Sequence, residues 1–183
     1  MAGMRGFEFY LAEYHSKGDQ AFAHERPYPV LVLGRLEAGG GRTGLTLTEG
    51  VSRGMAQFAA DASEENLRKL GDLSKTIVLE LSPKESQERT DRVTLGRAHE
   101  NDVVLPQQTI SKVHAIFTRL ADGRWSITDA GSRNGTCLNG HHLHADWSGA
   151  TLEDGDRLTF GTVAGVYYSA AAFRSVLAKL VRI

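Results

Sequence analysis

The chain has 183 residues, with 21 Lys+Arg against 22 Asp+Glu, a formal charge of -1 and 41% hydrophobic residues. That balance supplies no basic field of the kind a phosphate-neutralising nucleic-acid binder uses, and apolar runs such as Val30–Leu33 fall far short of the ~20 residues a bilayer span needs. Cys137 is the one cysteine, so no internal disulfide can form; with Glu8 interrupting any apolar leader, no secretory signal is read and the cytoplasm is the expected compartment.

Twenty glycines, and short Val/Ile/Leu/Thr runs broken by Asp-Gly, Asn-Gly and Gly-Asp pairs, predict a mainly β body. In chain order, residues 29–33 are a strand candidate, 39–44 (Gly-Gly-Gly-Arg-Thr-Gly) a flexible linker and 44–48 another strand candidate. Residues 63–70 carry the capping serine and acidic first turn of a helix. The whole of 1–75 reads as an N-terminal α/β extension without an assigned fold. From residue 76 the pattern becomes regular. Strands are predicted over 76–81, 92–95, 102–105, 113–120, 124–128, 136–138, 157–160 and 163–168, with a charged loop over 83–91 and turns at 121–123, 129–135, 139–140 and 152–156. Turns recur about every 8–12 residues, the spacing of a β-sandwich. The tail then changes period: Phe173, Val176, Leu177 and Leu180 stand at i, i+3, i+4 and i+7. With Ser169 as N-cap, residues 169–183 predict an amphipathic helix packed on the sandwich.

Residues 76–165 carry 9 basic and 12 acidic side chains, and 166–183 carry 3 basic and none acidic. An anion site in the middle segment must therefore be assembled from a few local donors. The polar groups at its turns are Gly96-Arg97, Asn101-Asp102-Val103, Ser111 with His114 three later followed by Ala115, Ser132-Arg133-Asn134-Gly135-Thr136, Asn139-Gly140 and Gly155-Asp156. In this order and spacing the constellation resembles the forkhead-associated (FHA) domain, a phosphothreonine-peptide binding module, over residues 76–168. The resemblance implies a β-sandwich that binds without catalysis or cofactor.

A phosphate carries about -1.5 to -2 charges at neutral pH and three acceptor oxygens, so it needs a fixed cation and several donors. Arg97 can supply a guanidinium fork, Ser111 a hydroxyl and Lys112 a second charge. By resemblance, Arg97 and Ser111 take the phosphate. Asn134 both donates and accepts, which suits a grip on an extended peptide backbone, and Gly135 supplies the φ > 0 turn presenting it. Arg133 points to the same rim. Gly96 and His114 are expected to shape the site, since no nucleophile or carboxylate constellation accompanies the histidine.

Other motifs carry less. In a strand, His142 and His144 would share a face without His141, leaving a metal short of ligands, so no metal is expected. Gly41-Arg42-Thr43 lacks the lysine of a phosphate-binding loop, Leu36 standing where its first glycine belongs. Cys137 reads as a buried thiol. The expected partners are phosphothreonine proteins made by a Ser/Thr kinase, in a bacterial signalling setting, with no nucleic acid or membrane. A phosphate-independent scaffold is the alternative, and Thr43, Thr46 and Thr48 offer a route to self-association through the N-terminal segment.

Overall fold

The computed structural model describes residues 4–33, 76–84, 91–144 and 149–181. Two sheets face each other. The larger has seven strands in the order β1 (Arg5–Gly6), β3 (Ile77–Glu80), β2 (Val30–Leu33), β12 (Val163–Tyr168), β11 (Arg157–Phe160), β8 (Thr136–Leu138) and β9 (His141–His142). The smaller runs β10 (Ala150–Thr151), β7 (Trp125–Asp129), β6 (Ala115–Arg119), β4 (Arg92–Gly96) and β5 (Val103–Val104). Its β4–β5 pair is parallel; every other pair in both sheets is antiparallel.

Period-two alternation explains the layering. Val93 and Leu95 of β4, Phe117 of β6 and Ile127 of β7 meet Leu31, Leu33, Leu79, Leu158 and Phe160 of the other sheet in one inter-sheet core. β2 is buried on both faces, which is why its sequence is an unbroken Val-Leu-Val-Leu run. Leu31 and Leu33 face the inter-sheet core, while Val30 and Val32 join a second apolar cluster on the outer side of the seven-stranded sheet. β2 comes from the segment read as the 1–75 extension, yet it lies inside the sheet between β3 and β12.

Two helices cover that outer side. The α-helix α1 (Phe7–Glu25) buries Phe7, Tyr10, Tyr14 and Phe22, and is broken at Gly18, whose φ of 76° and ψ of 171° are non-helical. The helix α2 (Ala170–Val181) buries Phe173, Val176 and Leu177, three of the four positions read from the sequence, with Leu180 partly buried. Phe173 receives Phe7 and Tyr10 edge-on at centroid distances of 5.7 and 5.6 Å. Ser169 caps α2, its hydroxyl accepting the Ala172 N–H at 3.2 Å. Arg26 clamps α1 to the sheet, bonding Glu13 through Nε at 3.1 Å and Glu80 of β3 through Nη1 at 3.0 Å.

The β8–β9 hairpin turns on Asn139 (φ 51°) and Gly140 (φ 85°), the left-handed pair expected of Asn-Gly. Asn139 also donates to Asp156 at 2.8 Å and accepts the Arg157 N–H at 2.9 Å, linking two of the sequence's turn motifs. The predicted elements at 39–44, 44–48 and 63–70, and the threonines at 43, 46 and 48, lie outside the described residues, as does 85–90 of the charged loop. Among the described residues no helix is long and apolar enough to cross a membrane.

Candidate functional site

Three connections converge at one end of the sandwich: residues 97–102 between β4 and β5, 105–114 between β5 and β6, and 130–135 between β7 and β8. Backbone bonds join the first two. The Arg97 N–H donates to the Ser111 carbonyl at 2.8 Å and the Ala98 N–H to the Lys112 carbonyl at 3.1 Å. This approach requires Gly96. A Cβ there would stand 2.2 Å from the Lys112 carbonyl oxygen and 2.7 Å from Asn101 Nδ2, so any side chain would push the two loops apart. Asn101 reinforces the contact from a buried position, donating Nδ2 to the carbonyls of Ala98 at 2.8 Å and Lys112 at 2.6 Å. Asp102, also buried, accepts from the Thr94 N–H and hydroxyl at 2.8 Å each.

Ser111 carries the link to the third loop. Its Oγ accepts the Arg133 N–H at 2.9 Å, which leaves the hydroxyl proton free to donate. Arg97 spends Nε on the Ile110 carbonyl at 3.2 Å, so the terminal guanidinium nitrogens remain available on an exposed side chain. Lys112 and Arg133 are exposed as well. Among the described residues none of these three cations forms an ion pair. Asn134, exposed, gives one Nδ2 proton to the Thr109 carbonyl at 2.7 Å. Its second N–H and its Oδ1 are then left for another partner.

His114 and Gly135 act beneath this rim. The imidazole is fully buried and spans two loops: Nδ1 accepts the Ser111 N–H at 3.1 Å, and Nε2 faces the Gly135 carbonyl at 3.2 Å. An accepting Nδ1 and a carbonyl opposite Nε2 define the neutral tautomer with its proton on Nε2. Burial pushes its pKa below the usual histidine value, against the opposing pull of the Gly135 carbonyl and the Asp129 carboxylate. Gly135 has φ of 77°, and a Cβ there would meet His142 Nδ1 at 3.1 Å.

The structure thus brings Arg97, Ser111, Lys112, Arg133 and Asn134 to one rim, with Gly96, His114 and Gly135 under them. Two supporting residues escaped the sequence reading. Thr109 holds Asn134 by its carbonyl and bonds Thr162 through its hydroxyl at 2.8 Å. A main-chain acceptor leaves no trace in residue type. Asp129 ends β7 and accepts from the Ser132 N–H at 2.8 Å, the Ser132 hydroxyl at 2.7 Å and the Thr136 hydroxyl at 2.6 Å, fixing the turn that presents Asn134. Burial raises the Asp129 carboxyl, but the bonds from Thr136 and Ser132 outweigh it and hold the group below its usual range. Here a signal existed: Asp-x-x-Ser at a strand end is a side-chain turn pattern.

Cys137 differs from its expected setting. It is half-buried, and His142 Nδ1 lies 3.4 Å from its Sγ across the β8–β9 pair. Burial raises the thiol pKa. Among the described residues no group of three or more His, Cys, Asp or Glu could hold a metal ion.

Comparison with known proteins bears on the same residues. The chain is 39% identical over 75 residues to an ABC transporter ATP-binding/permease protein of Mycobacterium tuberculosis, covering 41% of this chain and 8% of that one. It is 33% identical over 79 residues to the oxoglutarate dehydrogenase inhibitor of Corynebacterium glutamicum, covering 43% of this chain and 52% of that protein. Among solved structures, the N-terminal FHA domain of S. cerevisiae Rad53p in complex with a phosphothreonine peptide is similar at 26% identity and a TM-score of 0.44, covering 53% of this chain and 87% of that one. The family model for the FHA domain matches residues 93–161, the span from β4 to the loop after β11 that contains every rim residue described above. Residues 93–161 of this chain form an FHA domain.

Proposed function

We propose that this domain docks segments of partner proteins carrying phosphothreonine, through the rim of Arg97, Ser111, Lys112, Arg133 and Asn134, and that it catalyses no reaction. The observation that carries the reading is the state of the donors. Three cations without carboxylate partners among the described residues, and a hydroxyl whose oxygen accepts the Arg133 N–H, converge at the ends of loops that are themselves bonded to one another. A phosphate dianion has the charge and the acceptors to take them. In this reading the Arg97 guanidinium and the Ser111 hydroxyl hold the phosphate, Lys112 adds charge, and Asn134 uses its free N–H and Oδ1 on the peptide backbone. Arg133 lies beside the peptide side chains. The partners would be products of a Ser/Thr kinase, bound in the cytoplasm.

Each charge-assisted bond contributes roughly 1.5–3 kcal/mol, offset by desolvation and peptide ordering, which places the affinity in the micromolar range. Calorimetric titration with a phosphothreonine peptide selected from a degenerate library tests this. Arg97→Ala should weaken binding by about a hundredfold, as loss of a charged group facing a phosphate does. Equal affinity for phosphorylated and unphosphorylated peptides, or an Arg97→Ala variant as tight as the wild type, would overturn the proposal.

A further inference from the structure

The inter-sheet space also opens at the end of the sandwich away from the rim. Chain direction fixes this: β6 runs from Ala115, next to His114, to Arg119, and β7 returns from Trp125 to Asp129. Five-residue strands separate the two ends by about 17 Å. At this far end lies a cavity of about 500 Å³ lined in part by Tyr28, Asp91, Arg119, Arg124, Trp125 and Tyr167. That volume suits a small molecule. Trp125 and Tyr167 belong to the inter-sheet core, only 7% and 2% exposed, so they close the floor of the cavity, and the half-buried Tyr28 packed against that core forms its aromatic wall.

Arg119 breaks the pattern of its strand. Ala115 and Phe117 are buried against the facing sheet, and period two puts Arg119 on the same side, at the strand's end where its side chain is exposed. Its backbone is fixed, donating to the Asp91 carbonyl at 2.7 Å and pairing with Trp125. Its side chain, in contrast, makes no hydrogen bond or ion pair among the described residues, although Asp91 also lines the cavity. Arg124 is already engaged, bonding Asp122 at 2.8 Å. An aliphatic side chain at 119 would extend the core; a guanidinium there sets a cation at the mouth of an aromatic pocket. Guanidinium is weakly hydrated and stacks on rings.

We propose that this cavity binds a small organic anion, its flat apolar body against Tyr28 and the exposed edge of Trp125 and its anionic group on Arg119. The site is distinct from the phosphopeptide rim and does not depend on that reading. Two fluorescent probes of the same shape test it: 1-anilinonaphthalene-8-sulfonate, and N-phenyl-1-naphthylamine, which lacks the sulfonate. Trp147→Phe leaves Trp125 as the single tryptophan of two, so energy transfer from Trp125 reports occupancy. The sulfonate should bind one to one and about tenfold or more tighter than the neutral probe, an advantage that Arg119→Met abolishes and Arg119→Lys partly restores. Arg97→Ala should leave this binding unchanged, and a phosphothreonine peptide should not compete with it. Equal binding of the two probes to the wild type, an Arg119→Met variant that keeps the preference, loss of the preference in Arg97→Ala, or no binding of the sulfonate at millimolar concentration would each overturn the proposal. The wild-type comparison needs no variant, so it stands even if Arg119→Met is shown by circular dichroism to be unfolded.

Discussion

His114 shows how a residue with catalytic chemistry is put to structural use. Both ring nitrogens are occupied by loop backbone, and Nδ1 must stay unprotonated to accept the Ser111 N–H. Its folded pKa lies below the ordinary histidine value of about 6.5, with burial the leading cause. The unfolded chain therefore binds a proton first as the pH falls. The neutral imidazole contributes its full stability above about pH 6.5, and that contribution is lost as the pH drops from there through the folded pKa. Urea midpoints should fall between pH 7.5 and 5.5 in the wild type, and fall less in a His114→Asn variant, which is already weaker at pH 7.5. A wild-type midpoint with the same pH slope as the variant would remove His114 from the linkage. The sequence exposed part of this: His three residues after Ser, at a strand start and without a nucleophile, already read as a shaping residue. Which backbone groups it bridges depends on Gly135, 21 positions away, and no local pattern carries that distance.

Strands were more legible than loops because alternation is a property of each strand alone, whereas a loop is held by whatever comes near it. The run 157–160 appears in the sequence as a strand and is β11 with the same limits. The first helix was not legible. Phe7, Tyr10 and Tyr14 do recur at helical spacing, but Gly18 interrupts the pattern and charged residues surround it, so the apolar face becomes clear once α2 and the sheet are present to receive it. The 129–135 connection makes the complementary case for loops. Its conformation is set by one carboxylate, Asp129, accepting three bonds. Asp129→Ala would leave the buried Thr136 hydroxyl and the Ser132 donors without their acceptor, at a cost of about 1–3 kcal/mol in stability. Because Asn134 sits on the same turn, phosphothreonine-peptide affinity should drop in parallel even though Asp129 lies below the rim. Thermal unfolding and peptide titration of one preparation check the two effects; a variant with lowered stability and unchanged affinity would show that the turn does not need this anchor.

At the scale of the molecule, the matched FHA segment, 93–161, supplies only part of the seven-stranded sheet. β2 and β3 precede it and β12 follows it, and the seven-stranded sheet runs β3-β2-β12-β11 through its middle. Removing residues 1–33 would take β2 from between β3 and β12, breaking eight paired positions with those neighbours and stripping α1 from α2. Leu31 and Leu33 would vanish from the inter-sheet core, and Val30 and Val32 from the outer cluster. At roughly 1.5–3 kcal/mol for each buried aliphatic side chain, these four alone account for about 6–12 kcal/mol, comparable to the whole stability of an ordinary domain, about 5–15 kcal/mol. A chain beginning at residue 76 should therefore show no cooperative unfolding transition, bind no phosphothreonine peptide, and aggregate through the freed edges of β3 and β12. Supplying residues 1–33 in trans as a separate peptide should restore part of the fold, because β2 makes its contacts with β3, β12 and the helices without needing covalent continuity to residue 76. Calorimetry and amide spectra of the shortened chain, with and without that peptide, decide the matter. A sharp transition and well-dispersed amides from residues 76–183 alone would show that the sheet closes β3 directly onto β12, and that the N-terminal segment is an addition to the FHA domain rather than a part of its core.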